Sequence, residues 1–244
     1  MNHELTTTTV RDIALKMPQT TRVFEEYKID YCCGGRRPLS EACEIAGANT
    51  DEVLSKLNAM LETHESPEDS LETGTLSALI THILDTHHVY TRDELRNLEP
   101  LMEKVVRVHG DTHAGLKELG AAFVELKLDL LPHMEKEEVM LFPYIERLDR
   151  NHTAGIGGVI FAPFGTVKNP IRVMMNEHDV AGDILKRMRQ LANDYTPPED
   201  ACPSYTALLH RLEELERDLH RHIHLENNVL FPRAVELEDA LAAV

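Results

Sequence analysis

The chain has 244 residues, a net charge of −17, fourteen histidines and no tryptophan. A surface this acidic repels phosphate backbones and anionic membranes, so nucleic acid and membrane partners are not expected. No stretch approaches the ~20 apolar residues of a membrane span, and no charged start precedes an apolar run. A soluble, cytoplasmic protein is the expectation. Hydrophobic residues make up 42% of the chain, and low Gly and Pro content leans the fold towards helix.

Residues 1–65 read as a small helical domain. Thr9 is placed to cap a short helix that Pro18 ends. Residues 20–30 carry Val23, Phe24, Tyr27 and Ile29 near helical spacing. A turn containing "CGGRRP" follows, then short helices over 39–48 and 51–62, the second with Asp51 as its expected cap. Polar residues 66–74 read as a linker.

Residues 75–244 change character. Segments 75–108, 112–148, 170–194 and 203–240 carry apolar residues three and four apart. Four long helices of this kind predict an all-α, antiparallel four-helix bundle. Pro132 lies inside the second pattern and should kink it. The glycine-rich, apolar segment 151–170 reads as the long connection between the bundle halves, and 195–203 as the last loop.

The bundle contains a repeat. "ELKLDLLPHMEKEEVMLFP" (125–143) and "ELERDLHRHIHLENNVLFP" (214–232) match at nine of nineteen positions without gaps. The shared frame holds His133 and Glu137 in one copy, His222 and Glu226 in the other. A bare His-x3-Glu pair occurs four times in the chain; His64/Glu68 and His210/Glu214 lack the frame and read as surface pairs. Upstream, His88 lies 45 residues before His133, and His178 lies 44 before His222.

On a helix, residues four apart share a face, so each His–Glu pair can address one ion or two adjacent ions. Four imidazoles and two carboxylates suit iron or manganese better than a four-coordinate structural zinc. Two six-coordinate metals need about twelve bonds. Four histidines, two bridging glutamates and a bridging oxide or hydroxide fill about ten, leaving about one position per metal for a small ligand. A single buried histidine is more often just hydrogen-bonded, and a lone His–Glu pair just an ion pair. Two carboxylates and four imidazoles buried together would be costly without a cation.

"DYCCGG" at 30–35, "HHVY" at 87–90, "HMEKEE" with "LFP", "EHDVAG" at 177–182 and "LENNVLFPRA" ending at 234 together resemble the RIC (repair of iron centres) family. These are bacterial di-iron proteins of hemerythrin-like fold, associated with repair of iron–sulfur clusters after nitrosative or oxidative damage. The resemblance covers nearly the whole chain. It implies a di-iron centre, two iron ions with an oxo or hydroxo bridge, held by His88, His133, Glu137, His178, His222 and Glu226. It implies damaged iron–sulfur proteins as partners. Iron donation is the leading activity; a nitric oxide-reducing enzyme, or a sensor or carrier of nitric oxide or O2, is the alternative. Glu177 is expected to fix an imidazole from outside the ligand set. His82, His109 and His113 could also reach a site but read as supporting or surface residues, and His87, about 100° around the helix from His88, gives way to His88 on the family pattern and the upstream spacing. His220 and His224 should point away from the face used by His222.

Cys32 and Cys33 are not needed for that ligand set. Gly34 and Gly35 allow positive φ, so the pair is expected on a tight, accessible turn, with Arg36 and Arg37 favouring the thiolate. A redox, nitrosyl-transfer or docking role for Cys32 or Cys33 follows. The N-terminal unit is compatible with partner docking, electron exchange or homodimer formation.

Overall fold

The computed structural model of the chain describes residues 2–32, 34–61 and 74–243. The linker residues 66–73 and Cys33 lie outside the described residues. Among the described residues there is no strand; one isolated antiparallel bridge joins Thr9 to Pro38. No helix among them is long and apolar enough to cross a membrane.

Helices run in chain order as α1 (Asn2–Thr7), α2 (Val10–Lys16), α3 (Thr21–Glu26), α4 (Leu39–Ala46), α5 (Thr50–Leu61), α6 (Leu76–His82), α7 (Val89–His109), α8 (Leu116–Lys136), α9 (Phe142–Thr153), α10 (Lys168–Leu191), α11 (Pro203–His224) and α12 (Phe231–Ala242). Contacts group the chain into two compact units. One holds Met1–Thr81, Ile145–Phe161 and His220–Val244; the other holds His82–Tyr144 and Ala162–Leu219.

The first unit begins as its sequence suggests. Thr9 caps α2, its Oγ1 accepting from Asp12 N at 3.1 Å. The helix ends at Lys16, and Pro18 opens a short 3-10 turn, Pro18–Thr20. Pro disfavours helical geometry in the residue before it, which sets Met17 as the stop. Gly47 closes α4 in the left-handed region at φ 67°, with Ala48 N–H returning to Cys43 O at 2.9 Å. The cap of α5 differs from expectation. It is Asn49, whose Oδ1 accepts from Asp51 N at 2.9 Å and Glu52 N at 3.3 Å. Asp51 is already inside the helix, where its charge meets the positive end of the helix dipole. Val10, Ile13, Phe24, Tyr31, Leu39, Cys43, Val53 and Leu57 form the core of this region. Further along the chain, Asp149 caps α6 from another helix, its Oδ2 accepting from Ser77 N at 3.0 Å.

The second unit is a helical core. Leu95, Leu98, Met102, Phe123, Leu126, Leu185, Leu209, Leu212 and Leu219 interdigitate from α7, α8, α10 and α11. Two of its buried carboxylates are matched by arginines: Arg211 forks onto Glu94 at 2.7 and 2.8 Å, and Arg189 meets Glu216 at 3.0 Å.

Three of the long helical patterns are not uniform. π-helical turns interrupt them at Ile83–His88, Glu137–Leu141 and Leu225–Leu230. Pro132 sits inside α8, which continues through it to Lys136. The change of hydrogen-bond register comes at Glu137 instead. Pro143 and Pro232 are each the second residue of the helix that resumes after a π turn. A proline has no N–H to place, so it fits where the register changes. The connection between halves is shorter than 151–170: α9 reaches Thr153 and α10 starts at Lys168.

The cap assignment is testable. Asn49→Ala should lower unfolding free energy by about 1 kcal/mol in a denaturant titration. Asp51→Ala should cost less than half of that, since it removes only an exposed dipole interaction.

Candidate metal centre

Six side chains predicted as ligands are buried, none more than 3% exposed: His88, His133, Glu137, His178, His222 and Glu226. Three of them sit on or in π turns. His88 ends the first, Glu137 opens the second and Glu226 is the second residue of the third. A π turn adds a residue to the helical repeat and so re-aims the side chains that follow it.

The outer edges of two imidazoles are held by carboxylates. His88 Nδ1 lies 2.7 Å from Glu138 Oε1, and that oxygen also accepts from Arg92 Nη1 at 2.6 Å. His133 Nδ1 lies 2.8 Å from Glu177 Oε2, and Lys136 Nζ donates to the other oxygen of Glu177. Burial alone would raise the Glu138 and Glu177 carboxyls. The hydrogen bonds from Arg92 and His88, and from Lys136 and His133, outweigh it and hold both below the usual carboxylate range. An ionised carboxylate only accepts, so the proton of each ring sits on Nδ1.

The inner edges converge. His88 Nε2 is 3.5 Å and His133 Nε2 3.4 Å from Glu137 Oε2. His133 Nε2 and His178 Nε2 are 3.0 Å apart. His222 Nε2 is 2.9 Å from Glu226 Oε1. With Nδ1 protonated, the Nε2 atoms of His88 and His133 present lone pairs to a carboxylate. A cation among them removes that repulsion. Metal–nitrogen and metal–oxygen bonds of about 2.0–2.2 Å put neighbouring ligand atoms about 3 Å apart at right angles. The separations above match that spacing, and the donor set of imidazole and carboxylate suits iron.

Two overlapping sets offer ligand atoms all within 4.8 Å of one another: His88, Glu137, His222 and Glu226; and His133, Glu137, His178 and Glu226. Glu137 and Glu226 are common to both.

The remaining histidines go elsewhere. His87 is turned to Asp218, Nδ1 to Oδ1 at 2.9 Å. The His82 ring stands edge-on to His87, centroids 5.6 Å apart. His109 Nε2 meets Cys202 Sγ at 3.2 Å, and His113 lies 3.4 Å from Asp200. His224 is buried against Tyr31, centroids 5.3 Å apart. Burial lowers its pKa to about 4, so it is neutral at pH 7.

Glu177 fixes an imidazole, though it is that of His133 and not of its neighbour His178. Glu138 was not singled out in the sequence. Its signal was its place beside Glu137 in the repeat, where the second copy has Asn227.

The cysteine turn differs from expectation. Cys32 is buried, 7% exposed, so it does not stand on an accessible turn. Asp30 Oδ1 gathers Cys32 N at 3.2 Å, Gly34 N at 3.0 Å and Cys32 Sγ at 3.5 Å. Gly34 and Gly35 do not use positive φ. Gly35 is required for a different reason: a Cβ there would lie 2.5 Å from Tyr31 O. Arg37 faces Glu41 at 3.4 Å.

Residues 79–234 match the hemerythrin HHE cation binding domain, and residues 6–61 match a domain of unknown function, DUF542. The chain is 37% identical over 226 residues to the iron-sulfur cluster repair protein YtfE of Yersinia pseudotuberculosis serotype IB (strain PB1/+), covering 93% of this chain and 96% of that one. It is 36% identical, over the same shares, to the protein of that name in Yersinia pestis (strain Pestoides F).

The tautomer assignment can be checked directly. In 15N-histidine spectra of metal-free protein at neutral pH, His88 and His133 should appear as Nδ1–H tautomers. Glu177→Ala should release His133 from that form and leave His88 in it.

Proposed function

The chain belongs to the RIC family, and on that premise we propose that it is a non-haem di-iron protein that supports repair of damaged iron–sulfur clusters by donating iron. The observation that carries this reading is the pair of buried ligand sets sharing Glu137 and Glu226. In this reading His88 and His222 face one iron, His133 and His178 the other. Glu137 and Glu226, common to both sets, would each help hold both ions of an oxo- or hydroxo-bridged di-iron cofactor. The N-terminal domain over 1–65, the linker over 66–74 and the bundle over 75–244 are its parts.

When bound, the iron pair supplies redox-active metal with about one exchangeable position per ion. The protein's own residues set how firmly it is kept. Glu138 and Glu177 lock two imidazole rings so that Nε2 points inward. Arg92 and Lys136 balance the charge of those carboxylates. Among the described residues the two sets offer nitrogen and oxygen donors and no thiolate, so a sulfur-rich acceptor on a damaged client can compete for iron as the transferred substrate. The same exchangeable positions support a second reading, binding or reduction of nitric oxide, or carriage of O2.

Protein loaded with 57Fe, mixed with a [4Fe–4S] dehydratase inactivated by nitric oxide, should restore its activity and leave label in its cluster. Recovered activity without label would contradict donation, and sustained nitric oxide consumption would then favour the second reading. Glu137→Gln and Glu226→Gln should each lose the near-ultraviolet charge-transfer bands of the oxidised centre. Glu177→Ala should weaken metal affinity by about 10–100-fold, read by competition with a chelator.

A further inference from the structure

The frame is duplicated, but its two copies are not packed alike. In the first, the outward positions are open: Pro132 and Glu135 are exposed, and Val139 is 74% exposed. Their counterparts in the second copy are Arg221, His224 and Asn228. His224 and Asn228 are buried, 3% and 7% exposed, and all three bind one short stretch of the N-terminal unit. Arg221 Nε donates to Glu25 Oε1 at 3.2 Å, which also accepts from Tyr31 Oη at 2.9 Å. The Tyr31 ring packs on His224. The Asn228 amide donates to the Tyr31 main-chain oxygen at 3.3 Å and meets His224 Nδ1 at 2.9 Å. Positions 221, 224 and 228 alternate around the helix with 222 and 226, so they hold the side opposite the His222–Glu226 pair.

We propose that the Glu25–Tyr31 segment is a positioning element for the metal centre, acting through Asn228 and His224 to fix the π turn that aims Glu226. This rests on the reading that His222 and Glu226 hold iron. A π turn is rarely favoured by itself and keeps its register when neighbouring groups satisfy its outer face. Asn228 lies two residues beyond Glu226 inside that turn, and its side chain is anchored to a main-chain carbonyl. The Tyr31 carbonyl belongs to the same tight turn that Asp30 organises, and Gly35 allows the chain to close against it. The glycine pair and the aspartate of "DYCCGG" thereby present an oxygen to the helix that carries two of the six predicted ligands. The first copy has no such contact at Val139, which is solvent-facing.

The test compares Asn228→Ala with Val139→Ala, the same position of the repeat in each copy. Full-length, iron-loaded proteins are followed by release of iron to a ferrous chelator, by the charge-transfer bands of the oxidised centre, and by thermal unfolding without metal. Asn228→Ala should release iron about 10-fold faster with altered bands, while its metal-free melting temperature falls by only the few degrees that loss of a buried hydrogen bond implies. Val139→Ala should match the parent in both metal readouts. If Asn228→Ala does not fold, Asn228→Ser, too short to reach Tyr31 O, should show the same direction. Parent-like release and bands in the Asn228 variants, or equal effects in the Val139 variant, would overturn the proposal. A parent protein that binds no iron would instead overturn the reading beneath it.

Discussion

Two carboxylates buried among four imidazoles impose a condition that the rest of the molecule has to meet. Each ionised carboxylate taken out of water costs several kcal/mol unless a cation accompanies it. The buried Glu94 and Glu216 meet that condition with arginines. Glu137 and Glu226 meet imidazole nitrogens instead. His88 and His133 donate their Nδ1 N–H to outer carboxylates and so offer only lone pairs inward. The arrangement is therefore electrostatically incomplete without positive charge at its centre, and its geometry suits metal ions better than protons. The three π turns follow from the same requirement, because regular helix would aim neighbouring side chains differently.

Much of this was legible in the sequence because helix periodicity and the gapless repeat speak directly about which residues share a face. His133, Glu137, His222 and Glu226 came from the repeat, and His88 and His178 from matched spacing upstream. Thr9 and Pro18 act locally, so their effects were readable as well. What could not be read depended on partners distant in sequence. Glu177 adjoins His178 in the chain yet binds His133, because α8 and α10 lie along each other. His87 and His88 are neighbours, but only contact with Asp218 turns His87 away. Two of the three π turns left a trace, the proline that closes each copy of the frame six residues after its glutamate. Asn49 lost to Asp51 as the expected cap because both are good capping residues and helix ends are weakly encoded.

The cysteine turn shows how a local motif changes meaning in three dimensions. Adjacent thiols and two glycines suggest exposure and positive φ. Instead Cys32 is covered, and the glycines serve close approach: Gly35 has no room for a Cβ beside Tyr31 O. The aspartate orders the turn by gathering amides. The turn's best-defined product is a carbonyl and an aromatic ring set against the helix of His222 and Glu226.

The central claim is that these six side chains hold two irons bridged by Glu137 and Glu226. X-ray absorption at the iron edge, with metal analysis of the same sample, addresses it most directly. The account predicts two irons per chain, nitrogen and oxygen neighbours only, and an iron–iron scattering path. One iron or none, zinc in its place, or sulfur in the first coordination shell would contradict it.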